Sequence, residues 1–83
     1  MKILYFARFR QIIGRGADDI EIPSHVQNIS ALIDFLKARD ENIAEAFGDL
    51  RTLKVAINQS HSTLNAPLAG ATEVAFFPPV TGG

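Results

Sequence analysis

The chain ends Phe76-Phe77-Pro78-Pro79-Val80-Thr81-Gly82-Gly83, and the chemistry its residues offer is concentrated there. Pro-Pro favours an extended polyproline conformation, so the segment is stiff where it leaves the preceding strand. The residues from Pro79 onward reach roughly 16 Å beyond it. Two glycines at the tip remove every side chain beside the terminal carboxylate. A backbone without Cβ can enter a narrow channel and present an unhindered acyl carbon. That geometry suits a carboxylate used as the reactive group; the ordinary alternative for a terminal Gly-Gly is a frayed end. The side chains offer little else. With no cysteine there is no disulfide framework, no thiolate zinc site and no cysteine nucleophile, which also fits the cytosol. No Ser-His-Asp set, carboxylate pair or metal-ligand cluster stands out, and no metal is expected. His25 and His61 are lone histidines in polar surroundings. Arg8, Arg10 and Arg15 suit a phosphate, but a solvated or salt-bridged role is the simpler reading. Asn58, at a strand end, is expected to bond turn backbone rather than substrate.

The elements that must position this tail follow from pattern. Lys2–Phe9 is rich in β-branched and aromatic residues and predicts a strand. Gly14-Arg15-Gly16 breaks the run, and Asp18–Ile22 alternates polar and apolar, which predicts a hairpin ending at Pro23. Asn28 is a good N-cap. Ile29, Leu32, Ile33 and Leu36 follow at helical spacing and predict an amphipathic helix that ends near Asp40. Ile43 and Phe47 suggest a further short helical turn. Leu53–Asn58 is a third strand, the Asn65–Gly70 loop is expected to hold a very short one, and Thr72–Phe77 is the last. The order β-β-α-β-(β)-β is that of an α+β ubiquitin-like β-grasp, a mixed sheet of four to five strands packed on one main helix, its first and last strands a parallel pair in the centre. We expect this domain over residues 1–77 and an extended, flexible Gly-Gly tail over 78–83. The expected core is Ile3, Tyr5, Ile20, Ile22, Ile29, Leu32, Leu36, Val55, Ile57, Val74 and Phe76.

Composition excludes several classes. At 47% hydrophobic residues the chain can bury a core, so disorder is not expected. A net charge of −1 argues against a general nucleic-acid binder. The start MKILYFARFRQ is interrupted by Arg8 and Arg10 and is no signal peptide, and no run is long enough to span a membrane. Lys2, Arg8, Arg10 and Arg15 lie in a stretch without acids, while all but one of the nine acids fall between Asp18 and Asp49. Two differently charged solvated faces account for this; a partner reading them is the sharper possibility.

The first and last strands are apolar on both faces. Ile3, Tyr5 and Ala7 alternate with Leu4 and Phe6, and Val74 and Phe76 with Ala75 and Phe77. One helix covers only one face of a sheet, so the outer face is left with an apolar patch of the kind that marks an interface. Phe6 and Phe77 are its expected anchors, with Pro78, Pro79, Val80 and Thr81 continuing the contact along the tail. The alternative is that loops fold over the patch.

Glu73-Val74-Ala75 followed by FFPPVTGG resembles the C-terminus of the molybdopterin synthase small subunits, the sulfur carriers of the MoaD/ThiS family. Phe6-Ala7-x-x-Arg10 resembles that family's first strand, and Val55-Ala56-Ile57-Asn58-Gln59 its central strand and following turn. The resemblance spans the whole chain; Ala71-Thr72 after Gly70, and His61, depart from the family pattern. It implies a cytoplasmic carrier that is one subunit of a sulfurtransferase and has no catalytic side chains of its own. A partner adenylyltransferase would use ATP to convert the Gly83 carboxylate into an acyl-adenylate. A sulfur donor would then replace AMP and leave a thiocarboxylate. Gly82 would let the tail thread into the large subunit of the synthase, in a 2+2 heterotetramer, where the sulfur is given to cyclic pyranopterin monophosphate to form the molybdopterin dithiolene. The chain itself would bind no cofactor, nucleic acid or membrane. A carrier for thiazole synthesis or tRNA thiolation, a ubiquitin-like modifier and an interaction module with an inert tail remain open alternatives.

Overall fold

Burial alternates along Lys2–Tyr5, the first strand, β1, with Ile3 and Tyr5 turned to the core. The computed structural model describes residues 1–79. The strand is shorter than the sequence suggests. The chain turns at Phe6-Ala7-Arg8-Phe9, where the Phe9 N–H donates to the Phe6 carbonyl at 3.2 Å. Ala7 stands at φ 54°, ψ −129°, the geometry of the first central position of a type II′ turn. A helix, α1 (Arg8–Ile13), follows instead of more strand, and buries Phe9 and Ile13 one helical turn apart. Gly14 closes it at φ 89°, a left-handed position that suits glycine, its N–H donating to the Arg10 carbonyl at 2.9 Å. β2 (Ala17–Asp19) returns antiparallel to β1, so the hairpin forms with a helix inside it. Ile20 and Ile22 fall beyond this strand: Ile20 is buried and Ile22 half-buried.

The main helix, α2 (Ile29–Arg39), starts as expected, with Asn28 Oδ1 accepting from the Ala31 N–H at 2.8 Å. Ile29, Leu32, Ile33 and Leu36 form its buried stripe. Asp40 ends it and at once caps α3 (Glu41–Ala46), accepting from the Asn42 and Ile43 N–H groups. A 3-10 turn (Leu50–Thr52) leads into β3 (Lys54–Ile57). The fourth strand is β4 (Ser60–Ser62), not a segment of the later loop; that loop makes only an isolated bridge between Asn28 and Pro67. β3 and β4 are joined through Asn58 and Gln59, at φ 49° and 71°, the two positive angles of a type I′ hairpin turn.

The last strand, β5 (Glu73–Phe77), completes a sheet of order β2-β1-β5-β3-β4. It runs parallel to β1 and antiparallel to β3, so first and last strands are the central parallel pair of an α+β β-grasp sheet. The core lies between the inner sheet face and the helices. Tyr5, Phe9 and Phe76 surround Phe47, their ring centroids 6.4, 5.5 and 4.8 Å from it. Of the expected core only Ile22 and Ile57 are half-buried rather than buried. Phe9, Ile13, Val26, Ile33, Ile43, Phe47, Leu53 and Leu68 join the rest.

Candidate functional site

The tail leaves the sheet from its middle. β5 pairs on both sides up to its end, Tyr5 opposite Phe76 and Lys54 opposite Phe77, and the Phe6 N–H extends the ladder to the Phe76 carbonyl at 3.1 Å. Pro78 and Pro79 follow at once, half-buried and outside any regular element. A strand held by neighbours on both edges fixes the direction in which the next residues depart. Val80, Thr81, Gly82 and Gly83 lie outside the described residues.

Beside this exit the outer sheet face carries the expected apolar surface. Leu4, Phe6, Ala56, His61, Ala75 and Phe77 line a shallow groove of about 470 Å³. Phe6 is 47% exposed, and Phe77 half-buried. Alternation therefore sorts the aromatic pair as expected, Phe76 inward and Phe77 outward. Ala7, expected to continue the inner face, is instead exposed in the turn. His61 lies edge-on to Phe77, ring centroids 5.4 Å apart at 86°, and so serves as part of this wall. Among the described residues no loop folds over Phe6. A surface of this kind, with Gln59 and Glu73 also in its lining, fits a protein partner.

The start of β5 is held by a side chain. Asn58 Oδ1 accepts from the Thr72 N–H (2.9 Å), the Thr72 hydroxyl (3.0 Å) and the Glu73 N–H (3.1 Å), while its amide donates to the Gly70 carbonyl at 3.1 Å. Asn58 thus bonds backbone, as expected. On the opposite sheet edge Tyr5 donates to Asp18 at 2.8 Å, and Arg15 donates to Asp18 at 2.7 and 2.8 Å and to Asp40 at 2.9 Å. The Arg15 hydrogen bonds hold both carboxyls below their ordinary range. Burial, and then the bond to Asp18, raise the Tyr5 hydroxyl well above the usual phenol value. Arg15 is salt-bridged to two structural acids, not held free for a phosphate.

Sequence reasoning named Arg8 but not its partner: the guanidinium donates to the carbonyl and hydroxyl oxygens of Thr52, far away in sequence. Nothing local signals that contact. Among the described residues no group of three His, Asp or Glu side chains could hold a metal ion, and no helix is long and apolar enough to cross a membrane. What the described residues present is an apolar outer face and a main chain that leaves the sheet at Pro78.

The sequence pattern of the ThiS family matches residues 3–83. The molybdopterin synthase sulfur carrier subunit of Escherichia coli (strain K12) is 37% identical over 83 residues, 100% of this chain and 99% of that protein. The subunit of the same name from Haemophilus influenzae is 35% identical with the same coverage. Among solved structures, a Pyrococcus furiosus protein assigned as molybdopterin converting factor, subunit 1, superposes with a TM-score of 0.73 at 31% identity, over 95% of each chain. SAMP1 from Haloferax volcanii reaches 0.75 at 23% identity, over 99% of this chain and 97% of that one, a likeness of fold.

Proposed function

The chain belongs to the ThiS family, and from that premise we propose that it is the sulfur carrier subunit of a molybdopterin synthase. The observation that carries the reading is the exit of the chain. The central strand ends in Pro78-Pro79 beside an exposed apolar face, and the reactive group then needed is supplied by main chain, at Gly83. A carboxylate is a poor electrophile. In this reading its oxygen attacks the α-phosphorus of ATP in the active site of an adenylyltransferase, pyrophosphate leaves, and the acyl carbon gains a good leaving group. The terminal sulfur of a donor persulfide then adds to that carbon and AMP departs, leaving an acyl disulfide. A thiol attacks the donor-side sulfur of that S–S bond, forming a disulfide with the donor and releasing the thiocarboxylate at the end of the chain.

The loaded tail enters the large subunit, in a 2+2 assembly, and its sulfur is passed to cyclic pyranopterin monophosphate to build the dithiolene. Acid–base catalysis belongs to the partners; this chain binds no cofactor and works in the cytoplasm. Residues 1–77 are the docking domain and 78–83 the delivery arm. Phe6 and Phe77 anchor the partner, Pro78 and Pro79 stiffen the arm, and Val80 and Thr81 line it. Gly82 lets it thread.

The test is intact mass and product formation with purified activating enzyme, ATP, a sulfur donor and the large subunit. Wild-type protein should gain the mass of sulfur in place of oxygen. One residue added after Gly83 moves the carboxylate about 3.5 Å. Since a misplacement of 1 Å can cost about 100-fold in rate, loading should be abolished. Wild-type loading and dithiolene yield from a chain that still carries the extra residue would overturn the reading.

A further inference from the structure

The end of the sheet from which Pro78 departs is positively charged. From the β1 side Arg8, the first residue of α1, reaches past the end of β5 to Thr52, which precedes β3. Its Cζ lies 5.1 Å from the centroid of the Phe9 ring, which backs the guanidinium. From the β3 side Lys54 is exposed opposite Phe77, and Arg51 is 90% exposed. Asp49 also lies here and accepts from the Arg51 guanidinium twice at 3.1 Å. Among the described residues, one acid against three cations leaves a positive rim on a chain of net charge −1. Asp19 and Glu73 are at the far end of the sheet, both in register with Lys2.

We propose that Arg8, Arg51 and Lys54 form a basic collar that docks on an acidic rim, a cluster of Asp and Glu side chains around the opening through which a partner protein admits the tail. The proposal rests on the carrier reading. The collar sits at the root of the arm. The six residues from Pro78 to Gly83 span roughly 20 Å when extended, so the collar is too far from the terminal carboxylate to touch a nucleotide activating it. What it meets is the mouth of the channel. The exposed Arg51–Asp49 pair adds little to stability, and among the described residues Lys54 makes no salt bridge, so these two cations are poorly explained as supports of the fold. Charges of one sign around a docking point instead steer encounter and orientation, and raise association rates by about 10- to 1,000-fold. The apolar face beside the collar then supplies the lifetime of the complex.

The experiment measures association and dissociation rates of the full chain with the large subunit of molybdopterin synthase, at low salt and at about 0.5 M salt, where screening shortens to a few ångströms. Lys54→Glu and Arg8→Glu/Lys54→Glu should slow association about 10-fold and up to 100-fold at low salt, converge on wild type at high salt, and leave dissociation nearly unchanged. Thr52→Val removes an Arg8 contact but no charge, and should keep the wild-type rate. Folding is checked by circular dichroism, and Lys54→Glu serves if the double variant does not fold. Association insensitive to charge reversal at low salt, or a loss undiminished by salt, would overturn the collar. In the same preparations, wild-type protein that gains no sulfur and forms no complex would sink the carrier reading and the collar with it. Loaded wild-type protein with charge-insensitive association would sink the collar alone.

Discussion

Removing the side chain of Asn58 tests the physical account of how the last strand is set. Asn58 does two things. It takes φ 49° in the turn between β3 and β4, and it bonds three donors and one acceptor at Gly70, Thr72 and Glu73. Hydrogen bonds of this kind contribute about 1 kcal/mol each when buried. This site is exposed, so water replaces much of what is lost, and the four together should contribute about 1–2 kcal/mol. Alanine in the left-handed region adds about 1 kcal/mol of strain. Asn58→Ala should therefore lose about 2–3 kcal/mol, or roughly 10–20 °C in melting temperature for a domain of this size. Asn58→Gly keeps the backbone angle without strain and should lose about 1 kcal/mol less. Urea unfolding monitored by circular dichroism measures both, with unchanged m-values showing that the native fold is kept. A loss below about 0.5 kcal/mol for Asn58→Ala would refute the clamp. Equal losses for Ala and Gly would refute the strain argument.

At Ala7, held at φ 54° and ψ −129°, glycine relieves a strained angle, so Ala7→Gly should raise stability by about 1 kcal/mol; a fall in melting temperature would show that the Ala7 methyl matters more than its backbone. Phe47→Ala empties the centre of the aromatic cluster and should cost about 3–5 kcal/mol in urea titrations. Phe77→Ala removes an outward ring and should weaken partner binding about 10- to 30-fold by calorimetry while the chain stays folded; unfolding instead would mean that Phe77 supports the core. Because Arg15 depresses the Asp18 carboxyl in the folded state, the stabilisation is present above the unfolded value near pH 4 and is lost as pH falls through the lower folded value. Asp18→Asn should flatten the decline of stability below about pH 4, and equal acid slopes for variant and wild type would contradict this.

The long helix was legible because Asn28 announces its start and four apolar residues, Ile29 to Leu36, keep its spacing for about two turns. The six-residue α1 was not, since Lys2–Phe9 reads as uninterrupted strand and so short a helix shows no period; only the Phe9–Ile13 interval and Gly14 mark it. Ser60-His61-Ser62 has no apolar alternation to betray an edge strand. It forms because the two-residue turn at Asn58-Gln59 folds it back on β3. On the outer face, alternation alone placed Phe6 and Phe77 correctly. The Arg8–Thr52 contact joins residues brought together only by the β1-β5-β3 order, and no local pattern encodes it.

The middle position of β5 also has a consequence for biosynthesis. β1 and β3 are not neighbours; each finds its inner partner only when residues 73–77 are inserted between them. Such closure between the two ends of a sequence is slow and cannot begin on a chain still lacking its last strand. A nascent or clipped polypeptide that lacks β5 therefore cannot complete this sheet, and leaves the inner edges of β1 and β3 unpaired. The docking face comes into being only on molecules that already carry the strand leading to the tail. Topology thus makes completion of the sheet wait for the synthesis of its last strand.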